Sequence, residues 1–557
     1  MVTATWNWLW DKHDEVKDML RFFTKTNSSS LANGQPDKNA KQNQATQNGS
    51  RGGGGSGNGN QRSYKPAQWI GLFAGPILFI LTLLFFSPEG LSKPGLAVLA
   101  STIWIAIWWM TEAIPIPATS LLPIILFPLT NGLDLGATTS SYGSDTIFLF
   151  MGGFMVALAM EKWNLHKRIA LAIISVIGTN MNLIVLGFMV ATGFLSMWIS
   201  NTATAMMMVP IGLAITYQVA DALKDNPSID TSEGNFGFGK ALMLGIAYSA
   251  SLGGIATLIG TPPNAALHGV LKKMYDIDLS FATWMLFGVP VAWIFILFTW
   301  IYLVKIAFPQ KVKALPGGKR IIQSEKDKLG GASYEEKAVF VVFIITALAW
   351  ITRSFVLVKI NANIDDAIIA MTAAIVLFII PSKNKKGDFL LDWNTAVKLP
   401  WGILLLFGGG LAIAAGFTES GLSEWIGKQL AGLEGMNIIV VLLIVAGLVI
   451  FLTEITSNTA TANMMYPIMA ALAVALGIHP YAVMIAAGVA SSCAFMLPVA
   501  TPPNAVVFGS GYLRIPDMAK AGFALNIFGI ILVTAAVYIL IPLVWGIDLT
   551  HIPNTFK

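Results

Sequence analysis

The chain has 557 residues, 55% of them hydrophobic and only 12% charged, with a mean hydropathy of +0.67. A soluble chain of this length would be about a quarter charged, so a pair of soluble domains is excluded. The net charge of +5 lies in loops and calls for no nucleic-acid partner, and the single cysteine, Cys493, excludes both an intramolecular disulfide and a cysteine-cluster metal site.

The chain opens on a segment, 1–66, that does not read as membrane. Trp6, Leu9, Trp10, Val16, Leu20 and Phe23 fall roughly on one helical face, while Asp11, Asp14, Lys17 and Asp18 lie mostly elsewhere. An amphipathic helix is expected there, either on the membrane surface or on the protein's own cytoplasmic face. Residues 27–64 are mostly Ser, Asn, Gln and Gly, a composition that cannot bury a core and is expected to be disordered. No apolar stretch follows the first charges as in a signal peptide, so the first span is expected to target the chain to the bilayer.

Several apolar runs reach the ~20 residues a helix needs to cross the hydrocarbon core, among them 69–86, 284–304 and 523–545. Three basic loops mark the cytoplasmic side. They are Lys162, Lys167 and Arg168; Lys311, Lys313, Lys319, Arg320, Lys326 and Lys328; and Lys383, Lys385 and Lys386. Two spans, about 338–358 and 365–381, separate the second loop from the third, so those loops share a side. Residues 183–218 are apolar throughout, about 36 residues or ~54 Å as one helix, too long for one span and tight for two. Ser200-Asn201-Thr202 interrupts them, and a re-entrant hairpin with no net crossing keeps the first two basic loops on one side. True crossings follow at 239–271 and 283–307. A second hairpin is expected at 437–477, broken at Ser457-Asn458-Thr459, and a second interrupted span at 481–511, broken at Thr501-Pro502-Pro503-Asn504.

The chain repeats itself. Phe148-Leu149-Phe150-Met151-Gly152-Gly153 resembles Leu404-Leu405-Leu406-Phe407-Gly408-Gly409. Ser200-Asn201-Thr202-Ala203-Thr204-Ala205 equals Ser457-Asn458-Thr459-Ala460-Thr461-Ala462 at every position. Gly260-Thr261-Pro262-Pro263-Asn264-Ala265 matches Ala500-Thr501-Pro502-Pro503-Asn504-Ala505 at five of six. An odd number of crossings separates equivalent elements, so the halves are inverted, the sequence pointer to a secondary transporter with a midplane site. The fold class expected is an all-α polytopic membrane protein of about eleven transmembrane helices plus two re-entrant hairpins. The transporter domain is 67–550, with repeat one at about 95–307 and repeat two at about 338–545. A multi-pass cell-membrane protein follows, with its N-terminus cytoplasmic and its C-terminus outside.

Backbone polar groups inside a bilayer must be satisfied, so unwound segments survive only beside protein or a water-filled cavity. Carbonyls at the ends of the first half-helices suit small hard cations, and N–H groups at the starts of the second attract anions. The four breaks contain no Lys, Arg, Asp or Glu. An anion there needs dipoles, hydroxyls and co-bound cations, which argues for sodium; oxygen-rich, thiol-free sites suit hard cations.

These paired motifs, with Trp108-Trp109-Met110-Thr111-Glu112-Ala113-Ile114-Pro115, resemble the divalent anion/sodium symporter family, which includes the INDY dicarboxylate transporters. The resemblance covers about 66–550. It implies a homodimer in the lipid bilayer and an elevator motion. It also implies that Ser200, Asn201, Thr202, Ser457, Asn458 and Thr459, with Thr501 and Pro502, hold the carboxylates of a C4-dicarboxylate such as succinate, malate or fumarate. The family's first sodium site maps onto Ser196, Ser200, Asn201 and Gly260, and its second onto Thr453, Thr456, Asn458 and Ala500. Ser196 and Thr453 each lie four residues before the Ser of their motif, one helical turn away.

Sodium-coupled symport is the preferred reading, with sodium-independent exchange, such as 2-oxoglutarate for malate, as the alternative. His268 lies ~10 Å along a helix from Thr261, too far to serve as a fixed cation there, and reads as a packing or pore-rim residue. An intramembrane enzyme is not expected: no His-Glu-x-x-His and no Gly-x-Ser-x-Gly pattern occurs. Glu454, beside the second hairpin break, is either a cation or proton ligand or, the preferred reading, a cap for broken backbone. Glu112 reads as a helix-end residue and Met206, Met207 and Met208 as adaptable packing, while Gly253-Gly254 and Gly408, Gly409 and Gly410 allow close helix approach.

Overall fold

The computed structural model describes residues 65–178, 180–224, 230–309, 318–430, 432, 435–553 and 556, with the side chains of all but 318–322. The expected amphipathic helix and low-complexity stretch of 1–64, and Lys311 and Lys313, lie outside the described residues. Among the described residues the regular elements are helices, with no β-strand.

Helix α1 (Pro66–Phe85) precedes the repeats. Repeat one runs α2 (Lys93–Thr111), α3 (Leu122–Leu129), α4 (Asp145–Lys162), α5 (Leu165–Ile177), α6 (Met181–Ser196), α7 (Asn201–Leu223), α8 (Gly237–Gly254), α9 (Pro262–Tyr275) and α10 (Phe281–Tyr302). After α11 (Gly318–Leu329) the same order returns as α12 (Tyr334–Thr352), α13 (Asp366–Ile379), α14 (Trp401–Glu419), α15 (Leu422–Gln429), α16 (Ile438–Thr453), α17 (Asn458–Leu476), α18 (Pro480–Ser491), α19 (Pro502–Phe508) and α20 (Ile515–Trp545). The helices begin where polar caps stand before apolar runs. Asn180 accepts from Leu183 N at 3.0 Å, Ser280 from Thr283 N at 3.2 Å, and Asn437 from Ile439 N at 2.9 Å.

Nine helical stretches among the described residues are long and apolar enough to span a bilayer. The first hairpin arms, α6 and α16, have 16 residues each, ~24 Å, short of the ~30 Å hydrocarbon core. The second arms are longer than a half-crossing needs: α7 has 23 residues, ~35 Å. The far end of α7 carries the exposed Asp221–Lys224 pair at 3.0 Å, so its last turns have left the apolar layer. The second interrupted span is unequal to the first, because α19 has only seven residues against fourteen in α9.

Glycine permits the closest contacts. A Cβ on Gly253 of α8 would lie 2.2 Å from the Gly193 carbonyl oxygen of α6, so backbone meets backbone there. α8 is buried from Phe238 to Gly254. Gly409 approaches the Ser120 backbone in the same way, and Gly410 approaches Asn463. At one end of the bundle the basic loops meet, as their shared charge requires. Lys162 Nζ pairs with Asp388 at 3.1 Å and Asp392 at 2.7 Å, Arg168 Nε with Glu336 at 2.9 Å, and Lys326 Nζ donates to Ser175 at 2.9 Å.

Candidate functional site: two hairpin tips and two broken helices

The turn between α6 and α7 carries the first Ser-Asn-Thr motif. Ser200 is the N-cap of α7, and its Oγ accepts from Ala203 N at 3.2 Å. Ser196 ends α6, and its hydroxyl lies 2.6 Å from both Asn201 Oδ1 and the Ala250 carbonyl oxygen. A hydroxyl has one proton to give, so only one of these acceptors receives it. The same end of the Asn201 amide lies 3.0 Å from the Ala250 oxygen and 3.2 Å from the Gly260 oxygen. Oxygen-only surroundings of this kind are satisfied in two ways. The amide turns so that its nitrogen donates, or a cation draws the oxygens together. A Cβ on Gly254 would lie 2.7 Å from Asn201 Oδ1 and 2.9 Å from the Gly260 oxygen, so glycine is what lets the broken helix close on the tip.

The second tip repeats the arrangement. Thr453 ends α16, and its Oγ1 lies 2.6 Å from Asn458 Oδ1 and 2.9 Å from the Ser491 carbonyl oxygen. Again one proton faces two acceptors. Of the first mapped set, Ser196, Asn201 and Gly260 come together, whereas the Ser200 side chain is spent on its cap. Of the second, Thr453 and Asn458 come together. Thr456 instead bonds the Leu452 oxygen at 2.8 Å and Thr461 Oγ1 at 2.6 Å. Ala500 N donates to Leu497 O at 3.2 Å, and no hydrogen bond among the described residues joins Ala500 to Asn458.

Both broken helices restart at Thr-Pro-Pro, where proline's missing N–H costs nothing. Thr501 caps α19 by accepting from Asn504 N at 3.3 Å, whereas Thr261 makes no such side-chain bond. Sequence reasoning placed the asparagines that follow within the breaks of the solute site, without a separate role. Asn264 Nδ2 donates to the carbonyls of Gly254, Ile255 and Thr257, and Asn504 Nδ2 to those of Ala494 and Leu497. In both residues Oδ1 is buried without a partner. Their signal was present, since each closes a repeated Thr-Pro-Pro-Asn.

Glu454 is buried, and its carboxylate accepts from Phe495 N at 2.7 Å, Met496 N at 2.9 Å, Leu497 N at 3.2 Å and Asn526 Nδ2 at 2.8 Å. It caps broken backbone as preferred, but the backbone is that of the second interrupted span, not of its own hairpin. Its counterpart in repeat one is Met197, where Thr257 Oγ1 ties the break by donating to the Met197 carbonyl and accepting from Gly260 N at 3.0 Å. His268 Nδ1 lies 3.1 Å from the Leu279 carbonyl oxygen, a packed position. Glu112 ends α2 in the left-handed region, φ 48°, with its carbonyl accepting from Gln68 Nε2.

Among solved structures the chain resembles Neisseria gonorrhoeae MtrF, with a TM-score of 0.51 and 13% identity over 84% of this chain and 97% of that one. It also resembles the Alcanivorax borkumensis YdaH transporter, with a TM-score of 0.51 and 14% identity over 82% and 99%. At such identity these show the fold alone. Much nearer in sequence are the sodium-dependent dicarboxylate transporters SdcS. That of Staphylococcus saprophyticus is 50% identical over 493 residues, covering 88% of this chain and 94% of the relative. That of Staphylococcus aureus is 49% identical over 494 residues, with the same coverage. Residues 66–550 match the family described as the sodium:sulfate symporter transmembrane region, and with its paired Ser-Asn-Thr and Thr-Pro-Pro motifs the chain belongs to that family of divalent anion/sodium symporters.

Proposed function

We propose that this protein imports C4-dicarboxylates such as succinate, malate and fumarate, coupled to sodium. The observation that carries the reading is the pair of corresponding oxygen clusters, Ser196–Asn201–Ala250 with the Gly260 carbonyl beside it, and Thr453–Asn458–Ser491, each at the start of a helix that bears a Ser-Asn-Thr motif. A dianion taken from water into a bilayer needs compensating charge, since an unpaired buried charge costs several kcal/mol or more. The breaks hold no lysine or arginine. Two sodium ions in the clusters supply that charge, and the N-termini of α7 and α17 turn their free N–H groups to the two carboxylates. Ser200, Asn201 and Thr202 hold one carboxylate. Ser457, Asn458 and Thr459, with Thr501 and Pro502 beside them, hold the other. Ser200 contributes to the first cation site through its backbone, and Thr456 and Ala500 adjoin the second. The sodium ions are cargo, released with the dicarboxylate.

The N-terminus lies in the cytoplasm and the C-terminus outside, as the basic loops require. The protein works as a homodimer. Helices α6–α10 and α16–α20 carry the site and move as one body past a frame that includes α2–α4 and α12–α14.

Purified protein in proteoliposomes, given labelled succinate with an inward sodium gradient or with choline, tests this. Uptake above the choline level, competed by malate and fumarate, is the expected result. Equal sodium-independent counterflow in both buffers would make it an exchanger and overturn the coupling. Citrate added as competitor bounds the size of the site.

A further inference from the structure

The two hairpin tips are equivalent in sequence and unequal in cover. Trp198 beside the first tip and Ile259 beside the first break are 9% and 6% exposed, while their counterparts Ile455 and Val499 are 68% and 82% exposed. The cover over the first tip is an aromatic stack. The Trp198 ring lies over Phe281 at 6.0 Å and 22°, and Phe281 lies over Trp350 at 4.8 Å and 16°. Phe343 meets Trp198 edge-on at 5.1 Å.

An ion cluster continues the stack. Trp350 Nε1 donates to the Asp366 carbonyl at 3.0 Å, and the Asp366 carboxylate accepts from Phe281 N at 3.0 Å. Arg353, 5% exposed, stands 3.2 Å from Asp366, 3.3 Å from Asp365 and against Asp278. Trp198, Asp278 and Phe281 lie in the segment from α6 to α10, whereas Phe343, Trp350, Arg353, Asp365 and Asp366 lie in α12, α13 and the link between them. Stack and cluster therefore join the site-bearing helices to the frame, beside one tip only. Trp198 also sits between Ser196 and Asn201, the two side chains of the first oxygen cluster.

We propose that this stack and ion cluster form the outer seal of the transporter, closed in the present inward-open state, and that Trp198 is the positioning residue that links the first cation site to it. The assignment rests on the orientation and cargo proposed above. An inverted repeat puts the two tips on opposite faces of the site, so a seal beside the first, with Ile455 and Val499 beside the second left exposed, gives access from one side. Moving the site outward must part Trp198 and Phe281 from α12, and Asp278 from Arg353. A weaker seal raises the fraction of outward-open protein, and apparent affinity for an external ligand rises with the fraction of competent state.

The test uses the full chain in cells, with sodium-driven succinate uptake measured from outside. Trp198→Ala and Arg353→Gln are expected to lower the external KM by about threefold or more while lowering the maximum rate. Trp198→Phe, which keeps a ring in the stack, should fall between them and wild type. Loss of fold or expression lowers the rate but not the KM. Hydrogen exchange of the purified protein gives a second readout. In Trp198→Ala, peptides spanning 276–281 and 353–366 should exchange faster than in wild type, and sodium should no longer slow them. If Trp198→Ala does not express, Phe343→Leu removes a ring from the frame side with the same expectation. Unchanged external KM together with unchanged exchange in these peptides would overturn the seal. Wild-type uptake without sodium dependence would instead sink the functional reading, and the exchange measurement would still decide the seal.

Discussion

Asn504 makes in the second broken helix the stitch that Asn264 makes in the first. Asn264 Nδ2 donates to Gly254 O at 3.2 Å and Thr257 O at 2.8 Å, and Asn504 Nδ2 donates to Ala494 O and Leu497 O at 3.1 Å each. Positions 254 and 494, like 257 and 497, stand in the same register to the repeated Pro-Pro. Unwinding a buried helix frees carbonyls that water cannot reach, and one amide group gathers three of them in the first repeat and two in the second.

Removing the stitch orphans those carbonyls. Asn264→Ala and Asn504→Ala are expected to destabilise the protein by about 1–3 kcal/mol each. Asn→Asp at either position, which keeps the shape but loses the donors, should cost at least as much. Thermal unfolding in detergent checks this, and an unchanged Tm in both alanine variants would refute it.

The oxygen clusters give a prediction about sodium. Ser196→Ala and Thr453→Ala each delete one oxygen from a cluster of which it is the hydroxyl member. The sodium concentration for half-maximal uptake should rise on the order of tenfold, equivalent to ~1.4 kcal/mol, in each variant. Thr453→Ser keeps the oxygen and should stay near wild type. Sodium titration of succinate uptake decides it, and a Thr453→Ala curve lying on the wild-type one would remove Thr453 from the site.

Much of this site was legible because the motifs occur twice. One Ser-Asn-Thr is common; two in register with two Thr-Pro-Pro motifs located the tips and breaks, and the family resemblance pointed to Ser196 and Thr453, with their matching one-turn spacing in agreement. The partners of Glu454 were not legible, since the backbone it holds lies 41 to 43 residues away and pairing across such a gap leaves no local pattern. Nor was the contrast of Trp198 with Ile455. Both are apolar residues at the same place in the repeat, and only the packing of Phe281 and Phe343 on one side separates them. Nor does the sequence show a role for Asp365 and Asp366; in the structure Asp365 is the N-cap of α13 and Asp366 is buried against Arg353.

Outside the spans, the loop that carries Asp392 responds to acid. Burial pushes this carboxyl up, but hydrogen bonds from Lys162 and from Thr395 outweigh it and hold the group at about 2. The folded value lies below the ordinary ~3.9, so the stabilisation is full above about pH 4 and is lost as pH falls through about 2. Lys162→Met removes the main partner. The gap in Tm between wild type and variant, ~1 kcal/mol in stability once solvent screening is allowed for, should be constant from pH 5 to 7 and shrink from pH 4 to 2. A gap that widened below pH 4 would reverse the sign and reject the assignment.

Glu454 yields the sharpest stability prediction. The atoms around its carboxylate are donors: three successive backbone N–H groups and the Asn526 amide. Four donors on its two oxygens leave it little capacity for a cation. Glu454→Gln keeps the volume and, with its oxygen in the place of Oε1, keeps three of the four bonds; its NH2 then faces Leu497 N, which loses its acceptor at about 1–3 kcal/mol. Asn526→Ala alone removes one donor and leaves the carboxylate with three, so it should cost much less. Because the two side chains touch, their effects will not add. Asn526→Ala in the Glu454→Gln background should cost less than in wild type, because the bond it breaks then runs to a neutral amide oxygen instead of a carboxylate. Unfolding of the four proteins in the cycle measures that coupling. Strict additivity would mean that the charge of Glu454 adds nothing to its contact with Asn526.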